Sequence, residues 1–243
     1  MLDKLKAPTP MRIEFSTDEF KVALATSVVV FGFDGENLKI LVANKIGQPF
    51  EGDSIIPSSI VRIEEDPAYV AKELLTRITG RNDGMLEKLN GFAEPFRNPV
   101  GRVVNIAYYC TIRLDETSEN NLRKEGYLWV NAHEVPRLAY DHNKILEYAK
   151  ERLKRRVKGR PIGFNLLPAE FTLNNIQKLY ECALGKEFDK RNFRRKLLKS
   201  QLLIETERFV RSSERAKRPS RLYMFNEKEY RTLSLKGYDF IYQ

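Results

Sequence analysis

The sequence predicts an α+β fold in two domains, a mixed sandwich over residues 1–158 and a smaller, helix-rich domain over residues 159–243. Two observations predict it. Strand-like and helical patterns alternate over about 140 residues of the first part, which is typical of sheets covered by helices. After residue 158 the pattern changes to short helices rich in basic residues, and segment 158–163 is interpreted as a linker.

The composition excludes several classes of protein. With 42% hydrophobic and 31% charged residues it is typical of a globular chain. No run approaches the ~18 apolar residues of a membrane-spanning helix. The two cysteines, Cys110 and Cys182, are too few for a disulfide framework or a cysteine-based zinc site. The first residues lack the apolar core of a secretory signal, so we expect a reduced, cytoplasmic protein without membrane association.

The first domain begins with two strands and a tight turn. Residues 26–33 and 38–42 are rich in β-branched residues, and Asp34-Gly35-Glu36-Asn37 between them is typical of a hairpin turn. Further strands are predicted at 86–95, 103–113 and 127–130.

Two helices accompany these strands. Asp66 and Pro67 predict the start of a helix that ends near Thr79, with Gly80 as its terminator. A second helix is predicted over residues 143–157, where apolar side chains recur on one face.

The positive charge is concentrated in the last third of the chain. The formal net charge is +9, of which residues 159–243 carry +8. This asymmetry indicates an acidic partner, most often nucleic acid, and the alternative is a basic face that only aids solubility.

The basic segment has the pattern of a helix-turn-helix. Thr172 is a candidate N-cap for a helix that ends at Gly185, and Asp189 is a candidate N-cap for a second helix over residues 190–200. In this second helix Phe193 and Leu197 are spaced to pack on the first one, while basic residues occupy the other positions. A helix, a short turn and a basic helix predict a reader of the DNA major groove.

Two strand-like runs follow, residues 202–209 and 221–225, joined by a basic tip, which predicts the wing of a winged helix. Arginine suits phosphate and guanine contacts, and the amide of Asn192 suits adenine. RNA is less favoured because the aromatic residues are placed for core packing. The predicted DNA-binding residues are Lys190, Arg191, Asn192, Arg194, Arg195, Lys196, Lys199, Arg211, Arg215, Lys217, Arg218 and Arg221.

The first domain resembles a degenerate Nudix box. The resemblance rests on Pro57-Ser58-Ser59-Ile60-Val61, followed by a helix with Lys72-Glu73-Leu74 and Thr79-Gly80. In the Nudix family the loop is glycine-rich, and three glutamates on one helical face hold divalent metal for attack on a diphosphate. The resemblance implies a Nudix-like α/β/α sandwich.

The chemistry of that family is not supported by the residues present. Glu73 occupies the first glutamate position, but Thr76 and Arg77 occupy the next two. A guanidinium in the metal site repels Mg²⁺, so we expect no metal, no cofactor and no Nudix-type hydrolysis. Glu64 and Glu65 are alternative candidates for metal ligands, but acidic residues before a helix more often stabilise its N-terminus.

The combination of both halves resembles the Nudix-related transcriptional regulators over about residues 26–226. Its most specific part is Asp189-Lys190-Arg191-Asn192-Phe193-Arg194-Arg195. The resemblance implies a homodimer that binds double-stranded operator DNA and whose Nudix-like domain senses an ADP-ribose-type nucleotide or a sugar. The altered box favours a carbohydrate or sugar-phosphate effector. The candidate effector-binding residues are Arg62, Arg77, Arg97, Arg102, Asn105, Asp141 and His142.

Purely structural roles remain alternatives for these candidate residues. Asp141 would equally serve as a helix N-cap, His142 as a structural histidine, and Arg62 and Arg77 as solvated surface. For the whole chain the alternatives are a nucleoside-diphosphate hydrolase with a basic accessory domain and a scaffold that has lost both activities.

Overall fold

The computed structural model describes residues 21–80, 86–114, 122, 125–159, 161–211 and 218–234. The first part of the chain forms a seven-stranded mixed sheet with a helix on each face. Its elements are β1 (Ala23–Phe33), β2 (Leu38–Asn44), β3 (Ser54–Ile55), β4 (Ser58–Val61), α1 (Pro67–Thr79), β5 (Glu87–Phe92), β6 (Val103–Thr111), β7 (Tyr127–Asn131) and α2 (His142–Gly159).

β1 is the centre of this sheet. The main strand order is β3-β2-β1-β6-β5, in which β1 and β6 run parallel, while β4 pairs with β1 and β7 with β2. Alternate β1 residues contribute to two cores. Val28 and Val30 belong to the cluster of α1, whereas Val29 and Phe31 belong to the cluster of α2. The predicted α/β/α sandwich is confirmed.

The ends of α1 agree with the sequence because they depend on local capping. The carboxylate of Asp66 accepts hydrogen bonds from the backbone N–H groups of Ala68 and Tyr69, and Pro67 is the first helical residue. Gly80 ends the helix with φ 67°, a left-handed conformation that suits glycine.

The C-terminal part is a winged helix. A 3₁₀ helix (Pro161–Leu166) leads to α3 (Leu173–Leu184), α4 (Lys190–Lys199), the antiparallel hairpin of β8 (Leu203–Val210) and β9 (Ser220–Phe225), and α5 (Glu227–Ser234). Phe171 pairs with Tyr223 through two backbone hydrogen bonds and adds a short third edge to the hairpin.

The described residues of the predicted linker, 158–159 and 161–163, lie in helices. α2 continues to Gly159, and the 3₁₀ helix begins at Pro161. One buried cluster runs through both parts, from Ile145 and Leu146 of α2 to Ile176 and Leu179 of α3. α2 thus packs on α3 beside the predicted linker. Among the described helices, none has the length and apolar character needed to cross a lipid bilayer.

Candidate functional sites

The first helix of the helix-turn-helix is fixed at its start by a reciprocal cap. The hydroxyl of Thr172 accepts from the backbone N–H of Asn175 at 3.1 Å, and the side chain of Asn175 accepts from the backbone N–H of Thr172 at 3.0 Å. These bonds satisfy two of the donors that a helix start leaves open. The predicted N-cap at Thr172 is confirmed.

The turn between α3 and α4 is held by two side chains of α3. Oε1 of Glu181 accepts from the backbone N–H of Phe188 at 3.1 Å and from Nε2 of Gln177 at 3.0 Å. Nε2 of Gln177 also donates to the carbonyl of Phe188 at 3.2 Å. Gln177 and Glu181 thus satisfy the carbonyl and the N–H of Phe188 and hold the turn from which α4 begins.

α4 has one buried and one exposed side. Asp189 caps its start by accepting from the backbone N–H of Asn192 at 2.7 Å. Phe193 and Leu197 are buried, and the ring of Phe193 lies 5.8 Å from that of Tyr180 in α3. This packing confirms the predicted inner face. The exposed side carries Lys190, Arg191, Asn192, Arg195, Leu198 and Lys199.

Two predicted solvent-facing residues of α4 are half-buried instead. Arg194 and Lys196 flank the buried stripe, because residues next to Phe193 and Leu197 on the helical wheel lie at the border of the packed face. Nε of Arg194 is buried. Leu198 was not singled out from the sequence, although it is 43% exposed on the same side as Arg191 and Arg195.

Asn192 and Arg195 contact each other on the exposed side of α4. Nη2 of Arg195 donates to Oδ1 of Asn192 at 2.9 Å. A bidentate contact between an amide and adenine uses both the oxygen and the nitrogen of the amide. Arg195 thus orients the amide of Asn192, whose oxygen keeps a second lone pair for a contact with adenine.

The hairpin supplies part of the predicted wing cations. Arg211 and Arg218 are exposed between the end of β8 and the start of β9, next to the predicted tip of the wing. Arg221 is tied to the hairpin itself, since its guanidinium contacts the carboxylate of Glu205 and lies 5.3 Å from the ring centre of Phe209. Arg215 and Lys217 lie outside the described residues.

A cavity of about 860 Å³ lies beside α1 and β4, at the degenerate Nudix box. It brings together Arg62 and Arg77, two of the candidate effector residues. Thr76, Lys72 and Glu73 also line it.

Divalent metal does not fit the residues of this cavity. Glu73, the retained glutamate, accepts a hydrogen bond from the hydroxyl of Tyr69 at 2.5 Å, and Thr76 and Arg77 occupy the other positions. In the part of the chain that the structure describes, no three His, Cys, Asp or Glu side chains come together as a metal site. A guanidinium at the position of a carboxylate opposes a dication.

Arg97 and Asp141 form a buried ion pair away from the cavity. Nε of Arg97 donates to Oδ2 of Asp141 at 2.8 Å and Nη2 donates to Oδ1 at 2.5 Å. The two side chains are only 5% and 9% exposed. The carboxylate of Asp141 is thus bound to Arg97. At the start of α2, the backbone N–H groups of Lys144 and Ile145 donate to the backbone carbonyl of Asp141.

His142 lies at one end of a buried polar chain that reaches Asn105. Nδ1 of His142 accepts from the backbone N–H of Ile56 at 3.1 Å, and the hydroxyl of Ser58 donates to the carbonyl of Ile56 at 2.7 Å. Ser58 Oγ lies 3.2 Å from Ser27 Oγ, which donates to Oδ1 of Asn105 at 2.9 Å. Asn105 is 1% exposed, so its side chain is buried beside Ser27 of the neighbouring strand β1.

Burial lowers the pKa of His142 to about 4. The neighbouring carboxylate of Asp141 opposes this shift, and the guanidinium of Arg97 adds to it. His142 is therefore neutral near pH 7, as its role as an acceptor for Ile56 requires. The structure favours the structural histidine that the sequence left as an alternative.

The seven candidate effector residues do not form one cluster. Arg62 and Arg77 share the cavity, while Arg97, Asp141 and His142 lie together at the start of α2. Arg102 is exposed just before β6. The sequence shows the type of each residue but not the direction of its side chain in the fold, so it could not predict which of the seven lie together.

Comparisons with known proteins agree with this architecture. Residues 163–225 match the family model described as the NrtR DNA-binding winged helix domain. The chain is 27% identical over 236 residues to the ADPR responsive transcriptional repressor NtrR of Acinetobacter baylyi, which covers 90% of this chain and 93% of that protein. The chain is thus similar over most of its length to a transcriptional repressor, and its residues 163–225 match the winged helix domain of the NrtR family.

Two further comparisons concern the fold and the first domain. The crystal structure of Shewanella oneidensis NrtR with a 27mer DNA has a TM-score of 0.72 at 24% identity, covers 86% of this chain and 95% of that one, and confirms the fold. The ADP-ribose pyrophosphatase of Methanocaldococcus jannaschii is 25% identical over 133 residues, 53% of this chain and 76% of that protein.

Proposed function

We propose that this regulator binds operator DNA through α4 and the β8–β9 hairpin, and that its Nudix-like domain binds an effector of the ADP-ribose class. The observation that carries the proposal is the exposed basic side of α4 beside a basic hairpin. It occurs in a chain similar over 90% of its length to an ADPR responsive repressor.

The DNA contacts follow from the exposed side of α4. Arg191, Arg195 and Lys199 lie one helical turn apart from each other, so they project along one line. Such a row, placed in a major groove, brings guanidinium groups to base edges and an ammonium to the backbone phosphates. Arg211 and Arg218 of the hairpin would reach the neighbouring backbone.

A homodimer would place two copies of α4 in successive major grooves. Half-sites of such operators are about one helical turn, ~34 Å, apart, and the operator is roughly palindromic. The effector would then act by changing the spacing or orientation of the two winged helices.

Two contacts can transmit such a change to the winged helix. α2 packs on α3 along the shared core, and the β1–β2 turn touches α3. At this turn the thiol of Cys182 donates to the carbonyl of Glu36 at 3.4 Å. Because both contacts converge on α3, a shift within the sheet moves the helix that carries α4.

The proposed class of effector rests on the similarity to the ADPR responsive repressor and not on the residues of the degenerate Nudix box. The altered box favoured a carbohydrate, whereas the similar repressor is described as responsive to ADPR. We therefore rank a nucleotide linked to a sugar through a diphosphate first, and a sugar or sugar phosphate second.

We also infer that the Nudix-like domain does not hydrolyse its ligand. Thr76 and Arg77 stand where the family keeps carboxylates, and Glu73 is bonded to Tyr69. The second candidate is a hydrolase, favoured by the similarity of the first domain to an ADP-ribose pyrophosphatase. Release of AMP from ADP-ribose that depends on Mg²⁺ and is lost in Glu73→Gln would establish the hydrolase.

The proposal is tested by capture of genomic fragments on the purified full chain at two salt concentrations, followed by sequencing. We expect a shared palindrome whose capture weakens with salt, because phosphate contacts release counterions. Capture with no common sequence would contradict operator recognition.

A further inference from the structure

We propose that the cavity beside α1 is a metal-independent receptor for a diphosphate, in which the guanidinium groups of Arg62 and Arg77 supply the positive charge that Mg²⁺ supplies in Nudix hydrolases. This inference rests on the proposed function, since it names the part of the effector that the cavity takes and how it is held.

The charge of the cavity favours an anion. Its lining includes the cations Arg62, Lys72 and Arg77 and the carboxylates Glu65 and Glu73. Both carboxylates already accept hydrogen bonds: Glu65 from the backbone N–H of Arg62 at 2.8 Å, and Glu73 from the hydroxyl of Tyr69 at 2.5 Å. Each carboxylate thus has a hydrogen-bond partner within the lining, and the three cations exceed the two carboxylates by one positive charge.

Arg77 reverses the sign of the charge at its position in the Nudix box. A carboxylate at its position would carry a negative charge and would need a dication between itself and a phosphate. The guanidinium instead carries a positive charge and presents several N–H donors in a planar array that matches two phosphate oxygens. The hydroxyl of Thr76, on the same face of α1, adds a donor where a second carboxylate would repel the anion.

The dimensions of the cavity suit a nucleotide. Its volume, about 860 Å³, lies within the range of pockets that hold small ligands. Tyr69 and Ile60 at its rim are 56% and 59% exposed. Apolar and basic side chains line the cavity side by side, which fits a ligand with a flat base next to a charged diphosphate.

Isothermal titration calorimetry on the purified full chain tests the inference, with ADP-ribose and inorganic pyrophosphate as probes, in EDTA and in Mg²⁺. We expect ADP-ribose to bind equally well in both buffers. Arg77→Glu should weaken binding in EDTA by at least about tenfold, since a charge-assisted hydrogen bond becomes a repulsion. Arg77→Lys should retain part of the affinity.

Arg113→Glu is the matched control, because Arg113 is exposed in the same domain and does not line the cavity. Its affinity for ADP-ribose should equal that of the wild type. Unchanged Tm and DNA binding of Arg77→Glu would establish that the variant is folded.

The outcomes separate the inference from the proposed function. Binding of ADP-ribose that requires Mg²⁺, or that is normal in Arg77→Glu, would overturn the metal-independent receptor and leave the proposed effector in place. Binding of pyrophosphate through Arg77 without any binding of ADP-ribose would support the receptor and overturn the proposed effector.

Discussion

At the scale of single residues, burial decides which polar side chains serve structure and which stay available. Arg97 and Asp141 were both candidates for ligand binding, and the fold pairs them through two hydrogen bonds at 5% and 9% exposure. A buried charge without a partner lowers the stability of the fold, so each of these two side chains serves to neutralise the other. Arg62 and Arg77, on the exposed cavity, are under no such constraint.

His142 leads to a prediction about pH. Its pKa is about 4 in the folded protein, against about 6.5 in an unfolded chain. Between these values the unfolded chain binds a proton that the folded chain does not. The free energy of unfolding therefore falls as pH is lowered from about 6.5 toward 4, by up to about 3 kcal/mol from this residue.

Urea unfolding of wild type and His142→Gln across pH 4–7 measures this contribution. Glutamine retains an acceptor for the N–H of Ile56 but does not titrate, so the stability of the variant should depend less on pH over this range. His133→Gln is the control, since His133 is exposed. Parallel pH profiles for wild type and His142→Gln would contradict the assignment.

At the scale of elements, α4 makes the sharpest prediction. Arg195→Ala should weaken operator binding by about 1–3 kcal/mol, because Arg195 is exposed on the side away from α3. Electrophoretic mobility shift with a captured operator measures the change. The control Lys228→Ala removes an exposed cation on α5 and should leave the affinity unchanged. Equal affinities for Arg195→Ala and wild type would contradict the placement of α4 in the groove.

Elements with local signals could be predicted from the sequence almost residue by residue. The N-caps of α1, α3 and α4 are Asp66, Thr172 and Asp189, as predicted, because each cap is a contact between residues two or three apart. The Asp34–Asn37 turn is local in the same way, since the carboxylate of Asp34 accepts from the N–H groups of Glu36 and Asn37.

Elements that depend on distant partners could not be predicted in this way. β4 carries no strand signal of its own, because Ser58 and Ser59 have little strand propensity, and its conformation comes from pairing with β1. α5 was not assigned, although a signal exists: Asn226 followed by Glu229, whose N–H donates to the Asn226 side chain at 3.2 Å. Among the candidate effector residues, Arg62 and Arg77 were named from the sequence, but no pattern in it indicated the cavity that they share.

At the scale of the whole molecule, the two domains are joined by packing. The buried cluster that begins at Val29 and Phe31 of the sheet continues through α2 into α3 and reaches Phe193 of α4. Packed cores respond as units and transmit displacement across their length. A ligand in the Nudix-like domain and DNA on the winged helix therefore act on one connected body, and their binding free energies should be coupled.

The most direct test of this account is the affinity for a captured operator, measured by fluorescence anisotropy with and without saturating ADP-ribose. We predict that the ligand changes the dissociation constant by about 5- to 150-fold, the usual size of coupling between two sites. The same operator affinity with and without the ligand, when calorimetry shows that the ligand is bound, would contradict the central claim that the Nudix-like domain controls the winged helix.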